Sequence, residues 1–306
     1  MTSKPLVSIV IVSWNVRAFL ENCLRSIQGS ISENQYELII VDNKSTDDSV
    51  SWIFGNAPEA KLIIEEKNIG FGPANNKGIA EASGKYLLLL NPDTVVTAGS
   101  IQLMIDFLDK HADAGCVGPM LLNPDGTLQI SSYPFPTVAR EFWRLFHLDR
   151  IIPFSQYPIQ KWESGFEQQV DVLQGAAILM PLSVVYEAGL FDEQFFMYTE
   201  EVDLCYRVKK LGYTNYWLPD AKIVHYGGQS TRQAALPMFL ELNASKLKFI
   251  RKYYHGIGAF FYKTILYAAS ITRVVGLSIL GLFRKNKEQE ELRNNYWNLF
   301  VSIRRM

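Results

Sequence analysis

The sequence predicts an α/β fold with a mainly parallel, doubly wound sheet, flanked by helices and followed by a helical C-terminal tail. Apolar runs of strand length alternate with helical patterns between Leu6 and Leu90, which is typical of parallel sheets with right-handed crossovers. The runs are almost continuously apolar, as expected of strands covered on both faces. An acidic motif, Asn91-Pro92-Asp93, follows the last of them.

The first ninety residues form a series of strand and helix patterns. The predicted strands are Val7–Val12, Glu37–Val41, Lys61–Glu65 and Tyr86–Leu90. A helix follows each of the first two strands, and the glycine-punctuated segment Asn68–Gly78 runs into a third helix. Asp47 or Asp48 is placed to cap the second helix.

Beyond Asp93 the pattern is less regular. The predicted elements are a helix over 100–110, short strands near 116–120 and 128–131, a strand over 170–180, a helix from the acidic cluster at 200–203 to about 211, and a strand over 221–224. The region 133–162, rich in proline and aromatic residues, is interpreted as an insertion or lid. We expect a domain over 1–230 and a helical region over 231–306.

The composition is that of an ordinary globular protein. Hydrophobic residues make up 48% of the chain and charged residues 20%, so a substantial core is expected. The formal net charge of −1 gives no electrostatic indication of nucleic-acid binding. The three cysteines are widely spaced, which argues against a disulfide framework or a cysteine zinc site and favours a reducing cytoplasm. No secretory signal pattern precedes the first strand.

The motif Asn91-Pro92-Asp93 follows directly on the apolar run 87–90. Open α/β sheets bind ligands outside the carboxyl ends of their strands, so Asp93 is a candidate ligand-binding carboxylate. The same three residues also form ordinary turns, and the local sequence alone does not separate the two interpretations.

Five ordered motifs occur between Val7 and His225. They are Val10–Asn15, Ile40–Asp47, Asn68–Gly78, Asn91–Asp93 and Thr199–Leu204. With these motifs the chain resembles the family 2 glycosyltransferases, inverting enzymes of the Rossmann-like GT-A fold that use nucleotide-sugar donors. It is most similar to their bacterial rhamnosyltransferase-like branch. The resemblance implies a nucleotide-sugar half over about 1–95 and an acceptor half over about 96–230.

The resemblance also implies a divalent cation, Mg²⁺ or Mn²⁺, because the departing diphosphate concentrates negative charge. Asp93 is the first expected metal ligand, and His225 is the second, since Mn²⁺ accepts imidazole as well as carboxylate oxygens. A histidine at a strand end is alternatively structural. Asn91 stands where the family more often has Asp, so this motif contributes one carboxylate.

Donor binding is expected at the ends of the first strands and at the glycine-punctuated segment. The expected donor-binding residues are Ser13, Asn15, Asp42, Asn43, Gly70, Gly72, Asn76, Asn91 and Asp93. Gly70 and Gly72 are expected to let the backbone approach a ligand closely, beside a helix N-terminus that favours anions. Asp42 is alternatively a turn-capping aspartate, and Trp14 either stacks on a base or packs on the sheet.

Inversion requires a general base that takes the proton of the attacking acceptor hydroxyl. Glu201 is the expected base, at a position where the family usually has Asp, and Glu200 and Asp203 are the catalytic alternatives. Asp203 is alternatively a helix cap, and the whole cluster is alternatively a solvated acidic helix start. The resemblance places three further residues on the acceptor side: Gln174, Gly175 and Asp192.

The C-terminal tail contains an apolar stretch, Thr264–Phe283, that is long enough to span a bilayer. Arg273 lies at its middle and would cost about 2.5–3.5 kcal/mol at the membrane centre. The basic run 284–287, together with Lys263 and nearby aromatic residues, suits a helix in the headgroup region of an anionic membrane. The stretch is therefore an interfacial helix, a spanning or re-entrant helix, or a helix packed on the domain or in a homodimer.

The resemblance implies a metal-dependent, inverting transferase that moves a sugar onto a lipid-linked or polysaccharide acceptor in cell-surface glycan synthesis. L-Rhamnose from dTDP-rhamnose is the leading donor, and a UDP-sugar-dependent hexosyl or galactofuranosyl transferase is the nearest alternative. The expected location is cytoplasmic, peripheral on the inner face of the cell membrane.

Two other classes are possible. A sugar-nucleotide pyrophosphorylase is disfavoured because residues 13–17 lack the glycines of a phosphate-binding loop. A catalytically degenerate sugar-nucleotide-binding scaffold subunit is suggested by Asn91 and Glu201, which both depart from the family pattern.

Overall fold

The structure is a computed structural model that describes residues 4–158, 160–163, 165–229, 231–283 and 286–306. The chain divides into two compact units. The first contains Met1–Phe135, Pro158–Phe196 and Glu200–Gln233, and the second contains Pro136–Tyr157, Met197–Thr199 and Ala234–Met306. The sequence-based division at residue 230 therefore differs from the structural one, which places residues 136–157 and 197–199 with the C-terminal helices.

The strands are β1 Val7–Ser13, β2 Tyr36–Asp42, β3 Lys61–Ile64, β4 Tyr86–Leu90, β5 Thr94–Val96, β6 Ala114–Leu122, β7 Leu128–Gln129, β8 Ser132–Tyr133, β9 Gln168–Val170, β10 Val172–Leu173, β11 Ala177–Pro181 and β12 Thr214–His225. The α-helices are α1 Arg17–Gln28, α2 Ser49–Asn56, α3 Phe71–Ala80, α4 Ser100–Lys110, α5 Val138–Leu145, α6 Gln160–Glu163, α7 Leu182–Glu187, α8 Glu200–Lys210, α9 Ala235–Phe283 and α10 Lys287–Ser302. Short 3₁₀ helices cover Glu33–Gln35, Leu148–Arg150 and Thr231–Ala234.

The main sheet of the first unit has the strand order β3-β2-β1-β4-β11-β6-β12-β5, with β7 and β9 pairing at its side. The pairs among β3, β2, β1 and β4 are parallel, and so is β12 with β6, whereas β11 and β5 run antiparallel to their neighbours. A separate two-stranded sheet joins β8 to β10. This mainly parallel sheet confirms the predicted α/β fold class.

Helices cover both faces of the sheet because β1 is apolar on both sides. Ile9 and Ile11 belong to the large core that also contains residues of α1, α2 and α4. Val12 points to the opposite face, where it packs with Val41 and with Ala74 of α3. The doubly wound arrangement thus follows from the continuous apolar runs of the first strands.

The strands of the second half differ from the predicted ones. β12 spans twelve residues, not four, because the Pro219-Asp220 pair that looks like a turn is absorbed by a register shift against β6 between Leu218 and Lys222. The single strand predicted over 170–180 is divided into β9, β10 and β11. At the start of α2 the capping carboxylate is that of Asp47, whose Oδ1 accepts from the Ser49 amide at 3.1 Å.

The second unit contains α5, α9 and α10, so part of the region predicted as an insertion or lid is a helix packed within this unit. Its core includes Leu145 of α5, Tyr262 and Leu266 of α9, and Leu299 of α10. α9 bends at His255, whose φ is 56° and ψ is −165°.

Arg273 is bound within the second unit. Its guanidinium donates to the carbonyl oxygen of Leu145, lies 3.0 Å from Nε2 of His147, and stands 4.9 Å from the centre of the Tyr296 ring. By length and composition, Ala235–Gly281 is a helix able to cross a membrane, and 17% of its most apolar window is buried. Arg284 and Lys285, which we expected to contact a membrane, lie outside the described residues.

Candidate active site

Three polar side chains lie at the edge of the sheet where the parallel strands have their carboxyl ends. Ser13 ends β1 and stands in register with Asp42, which ends β2. Asn91 follows β4, which pairs with β1 on its other side. The parallel pairing therefore brings these three expected donor-binding residues to one edge of the sheet, where α/β proteins bind nucleotides.

Each of these residues carries a buried oxygen that accepts no hydrogen bond from the part of the chain that the structure describes: Ser13 Oγ, Asp42 Oδ1 and Asn91 Oδ1. Buried polar atoms without a partner are rare in proteins and are usually completed by a ligand, an ion or water. The other oxygen of Asp42 accepts from the Ser45 amide at 2.9 Å. Asp42 therefore caps its turn with one oxygen and has the other available for a ligand.

The side chains of Asn15 and Asn43 form hydrogen bonds with the backbone of neighbouring loops. Oδ1 of Asn15 accepts from the Thr46 amide at 2.6 Å. Oδ1 of Asn43 accepts from the Ile69 amide at 2.9 Å, and its Nδ2 donates to the Gly70 carbonyl at 3.1 Å. These two expected donor-binding residues shape the edge of the sheet by holding its loops.

Gly70 and Gly72, which we expect to let the backbone approach a ligand, pack against protein on the side where a Cβ would stand. Gly70 has a φ of +94°, and a Cβ there would overlap the carbonyl oxygen of Phe196. A Cβ at Gly72 would lie 3.3 Å from the Cβ of Phe191. Asn76 also binds this segment, accepting from the Phe191 amide at 2.9 Å. The glycines and Asn76 thus fasten residues 191–196 to α3.

Asp93 and His225 form a buried pair. β5 pairs with β12 so that Thr94 stands opposite His225, which places Asp93 beside the imidazole. Oδ1 of Asp93 lies 3.4 Å from Nε2 of His225, and the two residues are only 6% and 4% exposed. On the far side of the ring, Nδ1 lies 2.7 Å from Oε1 of Gln129.

The Asp93 and His225 pair fits a divalent cation. One carboxylate and one imidazole are donors that Mn²⁺ accepts, and their 3.4 Å separation is close to the roughly 3 Å between adjacent ligands on an octahedral ion. Within the described ranges no group of three or more His, Cys, Asp or Glu residues forms a complete protein cage. The remaining ligands would be water and phosphate oxygens, as is usual for such ions at nucleotide sites.

Glu201, the expected base, contacts a tyrosine that sequence reasoning did not select. The Tyr133 hydroxyl donates a hydrogen bond to Oε1 of Glu201 at 3.2 Å. Burial, followed by the nearby Glu201 carboxylate, raises the pKa of Tyr133 well above its ordinary value, so the hydroxyl stays protonated. Tyr133 lies in β8, at the start of the region predicted as a lid.

The two catalytic alternatives have different surroundings. Asp203 is fully buried, and its Oδ2 lies 2.8 Å from Nε of Arg207, which also donates to the carbonyl oxygens of Ala188 and Leu190. Asp203 thus lies inside α8, three residues after its first residue, and is paired with Arg207. Glu200 is buried beside Gly72, on the side of α3.

The expected acceptor-side residues divide between two places. The Asn91 amide donates to the carbonyl oxygen of Ala176 at 2.9 Å, and a Cβ at Gly175 would lie 3.7 Å from the Cβ of Glu201. Residues 174–176 therefore connect the donor motif to the candidate base. Asp192 instead accepts from the Gln194 amide at 3.0 Å, within the segment held by Asn76.

The fold and the comparisons with known proteins identify an enzyme of the glycosyltransferase class with a GT-A-like nucleotide domain. The chain belongs to glycosyl transferase family 2, whose family model matches residues 8–163. An N-acetylglucosaminyl-diphospho-decaprenol L-rhamnosyltransferase of Mycobacterium tuberculosis is 28% identical over 242 residues, which cover 73% of this chain and 76% of that protein. Rhamnosyltransferase WbbL of Escherichia coli is 25% identical over 238 residues, which cover 74% and 86%.

A solved structure shares the fold. The mannosyltransferase PcManGT from Pyrobaculum calidifontis, in complex with GDP-Man and Mn²⁺, superposes with a TM-score of 0.56 at 15% identity, over 99% of this chain and 87% of that chain. This likeness confirms the GT-A-like architecture expected from the resemblance.

Proposed function

We propose that this chain is a metal-dependent, inverting glycosyltransferase that extends a lipid-linked or polysaccharide acceptor in cell-surface glycan synthesis. The observation that carries the proposal is the buried Asp93 and His225 pair, at the same edge of the sheet as the available oxygens of Ser13, Asp42 and Asn91. The rhamnosyltransferase relatives support dTDP-L-rhamnose as the donor. The relative named for a diphospho-decaprenol supports a lipid-linked acceptor.

The nucleoside would be recognised by the first strands. Oδ1 of Asp42 would accept from a base N–H or a ribose hydroxyl, and Ser13 Oγ would exchange a hydrogen bond with the same group. Asn91 would donate or accept at the sugar or phosphate without adding charge. The loops held by Asn15 and Asn43 would keep this edge in place before the donor arrives.

Asp93 and His225 would hold Mg²⁺ or Mn²⁺, which supplies stabilisation of the charge on the departing diphosphate. The carboxylate and the neutral imidazole together give the site one negative charge. Because both side chains are already buried, little water would have to be removed from them when the donor binds.

Glu201 would accept the proton of the attacking acceptor hydroxyl. The Tyr133 hydrogen bond would orient Oε1, while residues 174–176 connect this carboxylate to Asn91 on the donor side. Asp203 is a poorer base because its charge is paired with Arg207. Attack from the face opposite the diphosphate inverts the anomeric centre.

We also propose that the second unit binds the inner face of the cell membrane. Beyond the bend at His255, several exposed positions of α9 recur every three or four residues along one face. They are Ile257, Phe261, Thr264, Ala268, Ile271, Val275 and Ile279. This stripe carries no charge, and such an exposed apolar face is typical of an interaction surface.

The charges around this stripe favour an anionic bilayer. No Asp or Glu occurs between Glu241 and Glu288, whereas Lys252 and Lys263 lie in the same stretch. Arg273, whose central position argued against a helix that spans the bilayer, is turned towards Leu145 and Tyr296. A surface helix with an apolar face and basic flanks would concentrate the enzyme where a lipid-linked acceptor is found.

Donor binding tests the proposed activity. Thermal stabilisation and slow diphosphate release would be measured with dTDP-, UDP- and GDP-sugars, each with and without Mn²⁺ or Mg²⁺. We expect metal-dependent stabilisation by dTDP-rhamnose with release of dTDP, loss of the metal effect in Asp93→Asn, and no change in Asp125→Asn, an exposed turn carboxylate. A preference for a UDP-sugar would show that the donor is a UDP-sugar and not dTDP-rhamnose. Binding without diphosphate release or sugar transfer would favour the scaffold alternative. Absence of binding to every nucleotide sugar would overturn the proposal.

A further inference from the structure

Gln129, which no motif singled out, contacts His225 through both polar atoms of its side-chain amide. Its Oε1 lies 2.7 Å from Nδ1 of His225, and its Nε2 donates to the His225 carbonyl oxygen at 3.2 Å. The same Nε2 donates to Oδ1 of Asn123 at 3.0 Å. Gln129 lies in β7, which pairs with β6.

These contacts fix the orientation of the Gln129 amide. A backbone carbonyl oxygen only accepts hydrogen bonds, so the group facing the His225 carbonyl must be the NH₂ of Gln129. The Thr127 hydroxyl already donates to Oδ1 of Asp125 at 2.6 Å, so it accepts from Nδ2 of Asn123 at 2.9 Å. Oδ1 of Asn123 is thus the acceptor that faces Gln129. Oε1 of Gln129 is therefore the atom that faces the imidazole.

The orientation of Gln129 determines where the proton of a neutral His225 lies. Oε1 only accepts, so Nδ1 must carry the hydrogen and Nε2 must carry the lone pair. That lone pair faces Oδ1 of Asp93 at 3.4 Å. Two acceptor atoms facing each other in a buried place are complementary to a cation.

We propose that Gln129 is a positioning residue that holds His225 in the Nδ1–H tautomer, so that Nε2 and Asp93 together present a preformed pair of metal ligands. The inference rests on the proposed metal-dependent function and extends it to a residue outside the ligand set. Without Gln129 the ring is free to place its proton on Nε2 and donate it to Asp93. Nε2 and the Asp93 carboxylate would then form a hydrogen bond with each other and would no longer be free to bind a cation.

Partners behind a metal ligand typically change metal affinity by about 10–100-fold. Replacement of Gln129 by Leu removes the acceptor for Nδ1–H, so Mn²⁺ affinity should fall by about this factor. Glu at this position keeps an acceptor for Nδ1–H and adds negative charge, so the tautomer and the Mn²⁺ affinity should be retained. Gln102→Leu is the matched control, because the Gln102 amide binds Asp106 on α4, outside the site.

The experiment has two readouts. The first is the tautomer of His225 in the metal-free protein, read from the ¹⁵N shifts of histidine-labelled protein at about pH 8.5, where an ordinary imidazole is neutral. The chain has four histidines, and a His225→Gln variant assigns the signal. The second is Mn²⁺ binding in the presence of dTDP, measured by electron paramagnetic resonance.

We expect the Nδ1–H tautomer in the wild type, in Gln129→Glu and in Gln102→Leu, and a shift towards Nε2–H with weaker Mn²⁺ binding in Gln129→Leu. An Nε2–H tautomer in the wild type, or unchanged Mn²⁺ binding in Gln129→Leu, would overturn the inference. If the wild type shows the Nδ1–H tautomer but binds no Mn²⁺, the proposed metal dependence fails while the effect of Gln129 on the ring stands.

Discussion

The Tyr133 hydroxyl lies 3.2 Å from Oε1 of Glu201 and donates a hydrogen bond to it. The two residues are distant in sequence, and the two-stranded sheet of β8 and β10 brings Tyr133 towards the start of α8. A hydrogen bond to an ionised carboxylate contributes about 1.5–3 kcal/mol and fixes its direction. Tyr133 therefore positions the candidate base.

Tyr133→Phe should lower kcat by roughly tenfold or more, because loss of about 1.5 kcal/mol of orientation at the base slows the transfer step. Donor affinity should not change, since Tyr133 is not among the side chains proposed to bind the nucleotide. Steady-state kinetics and calorimetric donor titration measure the two effects separately. Tyr186→Phe is the matched control, because its hydroxyl binds only the Ile79 carbonyl among the contacts described for it. Equal losses in both variants would contradict the role given to Tyr133.

Glu37 of β2 lies at the end of the sheet opposite the candidate site, where its carboxylate binds Ser8 of β1, Lys61 of β3 and Ser83. Burial acts to raise the pKa of Glu37, but hydrogen bonds from Ser8, Lys61 and Ser83 outweigh it and lower the pKa to about 2. A carboxyl with a lowered pKa in the folded state stabilises the fold above its unfolded pKa, and this stabilisation is lost as the pH falls towards the folded value.

Glu37→Gln should therefore destabilise the protein by about 1–2 kcal/mol at neutral pH, less than the full pKa change implies because the Lys61 partner is 47% exposed. The difference from the wild type should shrink as the pH falls from about 4.5 to about 2. Denaturant unfolding across this range measures it, with Glu33→Gln as an exposed control. A difference that stays constant with pH would rule out this explanation.

Glu141 is a buried charge in the second unit. Its Oε2 lies 2.6 Å from Nη2 of Arg144 and 3.3 Å from Nζ of Lys246, which joins α5 to α9. Burial acts to raise the pKa of Glu141, and the two cations lower it below its ordinary value. The carboxylate is therefore ionised at neutral pH.

Glu141→Gln should lower the free energy of unfolding of the second unit by about 3–5 kcal/mol, because two cations then lose their buried partner. Glu290→Gln should change it by less than about 0.5 kcal/mol, since Glu290 is 67% exposed and lies 3.6 Å from Arg293. Chemical denaturation followed by a probe in α9 or α10 measures both. Similar effects of the two substitutions would show that burial of the pair is unimportant.

The exposed stripe of α9 should bind anionic vesicles. The wild type should sediment with phosphatidylcholine vesicles that contain phosphatidylglycerol, and Ile271→Glu with Val275→Glu should weaken binding at least about tenfold by placing charge on the apolar face. Phe54→Glu, at a more exposed apolar position of the first unit, should have no effect, since Phe54 is 65% exposed and Ile271 and Val275 are 49% and 52% exposed. A wild type that ignores vesicles but forms a dimer broken by the double substitution would show that a second copy covers the stripe.

The first four strands could be predicted from the sequence because each is a short apolar run in a series that alternates with helical patterns. β12 could not, because Pro219-Asp220 has the local signature of a turn and only pairing with β6 continues the strand across it. Gly70 was recognised as special for its backbone, and the structure shows that a Cβ at this position would overlap the carbonyl oxygen of Phe196. Local sequence indicates that space is needed without indicating what fills it.

The candidate site shows the same limit. Asp93 and His225 stood out by residue type and position, and the structure brings them together. Gln129 and Tyr133 belong to no recognisable sequence motif, and a glutamine or a tyrosine on a strand does not by itself indicate a functional site. Their importance depends on contacts between segments that are far apart in sequence. The ion pair of Asp203 with Arg207 is by contrast local, since the two residues are four positions apart in α8.

The central claim is that this chain transfers a sugar with Glu201 as the base. The most direct measurement is transfer of rhamnose from dTDP-L-rhamnose to a lipid-linked N-acetylglucosamine diphosphate with Mn²⁺, in the wild type and in Glu201→Gln, together with calorimetric donor binding by both. We predict an inverted product from the wild type, and transfer reduced by at least about a thousandfold in the variant with donor affinity unchanged. Undiminished transfer by Glu201→Gln, or a product with retained anomeric configuration, would contradict the account.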